Sequence, residues 1–150
     1  METLHGAQGV KSMAGKEWGK SDWLQVTQDR IDQFAEATDD HQWIHVDPER
    51  AKSGPFGTTI AHGFLTLSLI PALAGALTKV EGVRMGINYG LNKVRFPSPV
   101  KVGSRVRAVS KNLTVDDVEN GLQVVNQVTI EVEGQEKPAC VAETVSRLYF

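Results

Sequence analysis

At 150 residues, 41% hydrophobic and 23% charged, the chain has the size and composition of one globular domain with a single sizeable core. Its 16 basic and 18 acidic side chains leave a net charge of −2, a balance that gives no expectation of nucleic acid or an anionic membrane as partner. The lone cysteine, Cys140, excludes an internal disulfide and a pair of Cys ligands to a metal, and it suits a reducing cytoplasm.

No internal repeat or linker breaks the chain, so residues 1–150 are read as one domain. The first twenty or so residues are rich in Gly and Lys and are expected to pack loosely. They carry no long apolar run behind a basic head, so no signal peptide is expected there. Asp22 to Gln28 reads as a short strand. Ile31, Phe34, Ala35 and Thr38 then recur at helical spacing, with Thr27 available as N-cap and Asp29 in the first turn. That helix is expected to end near Asp39. Asp47 followed by Pro48 marks a second helix start, which leaves Asp39 to Val46 as a loop between two helix ends. The most apolar stretch, Ile60 to Leu77, is marginal in length for a membrane span and carries His62, Thr66, Ser68 and Pro71. A buried helix is the expectation, kinked or split at Pro71.

The second half reads as strands: 84–96, 105–115 and 122–133, with a last one from Ala139 to Phe150. In the third, Leu122, Val124, Val128, Ile130 and Val132 share one face, with Gln123, Gln127, Thr129, Glu131 and Glu133 on the other. Asp116 to Gly121 is expected to form the hairpin turn before it. This order predicts an α+β domain, its antiparallel strands curled round one central apolar helix.

The stretch TDDHQWIHVDPERA, Thr38 to Ala51, gathers acidic groups and histidines where no regular period runs. Asp40 and His45 would lie roughly 140° apart on an ideal helix, but a loop is free to turn both side chains to one spot. A carboxylate beside an imidazole orients and deprotonates water and returns a proton to carbon, which is the chemistry of addition or elimination across a double bond. Further on, IAHGF opens the apolar helix. Amides in a first turn lack intrahelical partners, and Gly63 has no Cβ to keep a ligand oxygen away from its N–H.

The run FAEATDDHQWIHVDPERAKSGPFGTTIAHGFLTLSL, extended by NYGLNKVRFPSPVKVGSRV, resembles the MaoC-like dehydratases, the R-specific enoyl-CoA hydratases, and within them a NodN-like single-domain subgroup. The resemblance implies a hot-dog fold, a curved antiparallel sheet wrapped around a long central helix, assembled as a homodimer or a larger hot-dog assembly. By position it implies Asp40 and His45 as the catalytic pair that activates water, and Gly63 N–H as the donor to the thioester carbonyl. Gln42, Ser68 and His62 fall among the residues around the substrate. Gln42–Trp43 stands where the family carries Asn–Pro, and Asp39 where it carries Gly. The implied substrate is an acyl-CoA thioester, with no metal and no cofactor beyond the coenzyme A of the substrate. Three other activities fit the same residues: dehydration on acyl carrier protein, thioester hydrolysis, and acyl-CoA binding without turnover.

Each signal has a plainer reading. Asp47 serves as a helix cap, and His62 satisfies backbone groups near the helix start. His41, His45 and His62 fit no standard zinc spacing. Trp43 packs over a turn or lines a pocket. Lys93, Arg95, Lys101, Arg105 and Arg107 either meet coenzyme A phosphates or protect exposed strands. Cys140 fills the core. A cytoplasmic enzyme is the expectation.

Overall fold

A computed structural model describes residues 1–150. In chain order it contains β1 (Glu2–His5), α1 (Gly6–Ser12), β2 (Glu17–Lys20), β3 (Leu24–Gln25), α2 (Gln28–Thr38), α3 (Trp43–Val46), α4 (Pro48–Ala51), α5 (Gly63–Ser68), α6 (Ile70–Gly75), β4 (Thr78–Glu81), β5 (Met85–Arg95), β6 (Arg105–Val118), β7 (Gly121–Val132) and β8 (Cys140–Tyr149). The main sheet runs β2-β6-β7-β8-β5, with β3 also on the outer edge of β6. Every pairing in it is antiparallel. This is the curved sheet around central helical material expected of a hot-dog fold. No helix is long and apolar enough to cross a membrane.

The alternation read along β7 places its faces correctly. Leu122, Val124, Val128, Ile130 and Val132 are all buried, and their neighbours are half-buried or exposed. Val128, Ile130 and Val132 meet Leu65, Leu69, Ile70 and Leu73 of the helical layer in the main core. The hairpin between β6 and β7 is tighter than expected. The ladder runs on to Val118 opposite Gly121, so Glu119 and Asn120 alone make the turn, Asn120 at φ +63°. Cys140 lies fully buried in this core, and burial pushes its thiol up to about 11.

The central helix comes as two six-residue helices, α5 and α6, with Pro71 in the first turn of the second. Pro71 has no N–H to return to the Leu67 carbonyl, which breaks the ladder where the sequence marks it. The helix α2 starts and stops as read: the Thr27 hydroxyl accepts from Arg30 N–H at 3.2 Å, and Asp39 terminates it in the left-handed region at φ +57°.

The N-terminal segment departs from expectation. Residues 2–5 pair in parallel with 78–81, and α1 follows at once. Leu4, Val10 and Met13 are buried, and with Leu122 and Val124 they form a second core cluster. Burying such a side chain contributes about 1.5–3 kcal/mol, enough to hold a Gly-rich segment that has no local period to announce it.

Candidate functional site

Two straps hold His45. The segment read as a loop contains one helical turn, α3, and His45 sits on it, buried. Ile60 N–H donates to the Ile44 carbonyl at 3.0 Å, and the His45 Nδ1–H donates to the Ile60 carbonyl at 2.7 Å. Gln28, at the start of α2, donates from Nε2 to the His45 carbonyl at 2.8 Å and accepts from the buried Thr59 hydroxyl. A carbonyl only accepts, so Nδ1 carries the proton and Nε2 of the neutral ring keeps its lone pair.

Burial holds His45 below its ordinary value of 6.5. The Ile60 hydrogen bond opposes this, His62 adds to it, and Asp40 opposes it again. The His45 and His62 rings stack with centroids 3.8 Å apart and 22° between planes, and Phe34 packs on His62 at 4.9 Å. His62 Nε2–H donates to the Asp40 backbone carbonyl at 2.9 Å, tying the Asp40 loop to the start of α5. Its Nδ1 is buried without a partner.

Asp40 is exposed at the rim. One ligand atom each from Asp40, His45 and His62 lies within 4.8 Å of the others. The donor set does not suit a transition-metal ion. Such an ion lies in the plane of each imidazole ligand at about 2.0–2.1 Å, and two rings stacked 3.8 Å apart lie in nearly parallel planes with no such point close to both. What the arrangement offers is a bare, neutral imidazole nitrogen and a carboxylate facing one space, which is enough to hold and deprotonate a water.

The other expected residues fall around this cluster. Gly63 is exposed and opens α5; the first amide to bond back is Leu65, onto the His62 carbonyl at 3.0 Å, so Gly63 N–H stays ahead of the ladder. A Cβ at Gly63 would meet the Phe96 ring at 3.2 Å. Gln42 precedes α3, its backbone N–H pointing weakly at Asp40 Oδ1 at 3.5 Å, its carboxamide exposed. Ser68 stands apart, its hydroxyl donating to the Phe64 carbonyl at 2.6 Å. It lines a cavity of about 780 Å³ beneath α5 and α6, which the Asp40, His45 and His62 side chains do not line.

The remaining candidates take structural places. His41 turns away to Glu36 at 2.7 Å. Asp47 caps α4, accepting from Arg50 N–H at 3.1 Å. Trp43 packs over the turn, with Arg50 above its ring at 4.4 Å and Gly54 beneath. Arg105 and Arg107 pair across the sheet with Glu133 and Glu131. Sequence reasoning missed Gln28, Ile60 and Phe96. Two act through backbone carbonyls or amides and one by lying over a glycine, and none of these leaves a motif.

Comparison with known proteins adds the following. A family profile described as MaoC like domain matches residues 10–134. The "3-hydroxyacyl-thioester dehydratase Z" of Mycobacterium tuberculosis strain H37Rv is 57% identical over 148 residues, covering 98% of both chains. "Nodulation protein N" of Rhizobium leguminosarum bv. viciae is 47% identical over 147 residues, 94% of this chain and 89% of that one. Among solved structures, the (R)-hydratase from A. caviae, involved in PHA biosynthesis, superposes with a TM-score of 0.72 at 24% identity, over 90% of this chain and 96% of that one.

Proposed function

The chain belongs to the MaoC-like domain family of hydratases and dehydratases, and from that premise we propose that it adds water reversibly to trans-2-enoyl-CoA thioesters to give (R)-3-hydroxyacyl-CoA. The observation that carries this reading is the pairing of a neutral, rigidly oriented His45 Nε2 with the Asp40 carboxylate. A water between them donates one hydrogen bond to each. As its oxygen attacks the β-carbon, the base takes one of its protons, and a proton is returned to the α-carbon. The electron pair displaced from the double bond rests meanwhile on the thioester oxygen, which Gly63 N–H steadies. The thioester itself acidifies the α-position, so the reaction needs no metal or redox group. Run backwards, the same groups dehydrate a 3-hydroxyacyl thioester, the reaction printed in the name of the mycobacterial relative.

The R outcome is supported by the likeness to the A. caviae enzyme, and the carrier is read as coenzyme A. Assay against crotonyl-CoA and the matching acyl-carrier-protein thioester, following loss of enoyl absorbance with an R- or S-specific dehydrogenase on the product, decides both. Wild type should give the R product, and Asp40→Asn should lose at least about a hundredfold, the low end for a general acid or base, while staying folded. Near-normal turnover by Asp40→Asn would sink the assignment.

The enzyme is further read as a homodimer through β5. This strand pairs on one side only, with β8, and every residue in it but Val94 is exposed, including Met85, Ile87, Tyr89 and Leu91. A bare apolar edge of this length invites a second strand. Light scattering at the mass of one chain would refute it.

A further inference from the structure

The cavity beneath α5 and α6 has apolar walls and a polar floor. Of its lining, Leu67, Ile70 and Val128 belong with the main core, and Trp18, Val80 and Leu148 with the second cluster. Between these groups a band of polar side chains crosses the sheet in register. Asn112 of β6 lies opposite Asn126 of β7, and Asn126 opposite Thr144 of β8. Asn and Thr at neighbouring inward positions interrupt an otherwise aliphatic surface, and the interruption coincides with the division between the two core clusters.

The hydrogen bonds fix how this band presents itself. Asn112 is buried, and its Oδ1 accepts from Gly15 N–H at 3.0 Å. Its Nδ2 therefore faces the other way, donating to Asn126 Oδ1 at 2.8 Å, with the Thr114 and Val125 carbonyls at 3.1 and 3.2 Å sharing its two hydrogens. The bond to Asn126 sets the amide of that residue: Oδ1 is held by Asn112, Nδ2 donates to no group of the chain, and Asn126 lines the cavity. Two residues before Asn112, Ser110 lines the same cavity, and its hydroxyl is fully buried without a partner. A hydrocarbon laid over these groups would leave them unpaired, which is unfavourable. An oxygen acceptor would satisfy them.

We propose that this cavity selects acyl groups bearing an oxo or hydroxyl oxygen remote from the thioester, with Asn126 Nδ2 as the donor that reads it. The proposal rests on the acyl-thioester reading of the Asp40–His45 site. It connects to that site through α5: Leu67 and Ser68 line the cavity four and five residues beyond Gly63, about 6–8 Å along the helix. Asn126 is a specificity residue, outside the reacting groups.

The test compares kcat/KM for crotonyl-CoA, a medium-chain trans-2-enoyl-CoA, and its equal-length counterpart with an oxo group near the far end. Wild type should favour the oxo chain over the plain one by about tenfold or more, the worth of one hydrogen bond in a desolvated site. Asn126→Asp keeps the acceptor that Asn112 needs and removes the donor. It should abolish the preference while leaving crotonyl-CoA turnover unchanged. Asn126→Leu should reverse it in favour of the plain chain. Equal rates on both chains in wild type, or a preference that survives Asn126→Asp, would overturn the proposal. Should wild type turn over none of the three, the hydratase reading fails by itself. Calorimetric titration with the two medium-chain thioesters then decides the cavity: tighter binding of the oxo chain sustains it, and equal or absent binding overturns it.

Discussion

Replacing Gly63 with alanine separates a structural glycine from a functional one. The added Cβ would lie 3.2 Å from Phe96 Cδ2 and Cγ and 3.3 Å from Cε2, where carbon pairs prefer roughly 3.5–4.0 Å. The ring must therefore retreat by a few tenths of an ångström. It is free to do so, because Phe96 is 40% exposed and its neighbour Phe64, edge-on at 6.2 Å, is 69% exposed. Against that small strain, alanine loses less backbone entropy than glycine, a gain below the about 0.5–1 kcal/mol of a helix interior because Gly63 opens α5. The two effects offset one another, so stability should stay within about 0.5 kcal/mol of wild type, a Tm shift of roughly 2 °C or less for a domain this size. Catalysis should respond differently. The methyl group crowds the approach to the amide that steadies the thioester oxygen, and blocking one such donor costs about 10²–10³ in kcat. Thermal melts and kcat/KM on crotonyl-CoA, run together, give the answer. An unchanged melt with kcat/KM within about threefold of wild type would refute the role assigned to Gly63. If stability and activity fell together, the pair Gly63→Ala with Phe96→Leu, which relieves the contact, would have to restore the melt without restoring turnover.

Burial holds the folded-state His45 below 6.5, so the acid limb of kcat/KM attributed to it should fall below pH 6.5, and a limb at or above that value would refute a buried neutral base. The stability sign follows. The unfolded chain takes the proton first, so the contribution of His45 is complete above about pH 6.5 and is lost as pH falls from there through the folded value; urea midpoints across that range should decline, and those of His45→Gln should decline less. Asn112→Ala removes a buried amide whose oxygen and two N–H hydrogens serve four groups, at a net cost of roughly 3 kcal/mol for three hydrogen bonds at about 1 kcal/mol each; a urea-derived loss under about 1 kcal/mol would show that the polar band is not held as described.

What was legible in the sequence had a local cause. The faces of β7 follow from a period of two, the start of α2 from Thr27 and that of α4 from Asp47 before Pro48, and the break in the central helix from Pro71. Asp40 and His45 were legible because both lie in one short stretch. The rest depended on partners distant in the chain. Leu4, Val10 and Met13 show no period, and their burial is decided by Leu122 and Val124. The stacking of His62 on His45 joins residues whose spacing suits no motif. One signal was available and unused: asparagine is depleted in strands, and Asn112 and Asn126, both in strand runs, mark the polar band.

The pairing of residues 2–5 with 78–81 imposes an order on biosynthesis. At about 5–20 residues per second the first strand leaves the ribosome roughly 4–15 s before its partner, and Leu122 and Val124, which bury Val10, come later still. Throughout that interval Leu4, Val10 and Met13 are apolar side chains without a home, open to chaperones and proteases. A segment expected to pack loosely thus waits until most of the chain is made before it finds shelter. Its docking is the event that closes the second core.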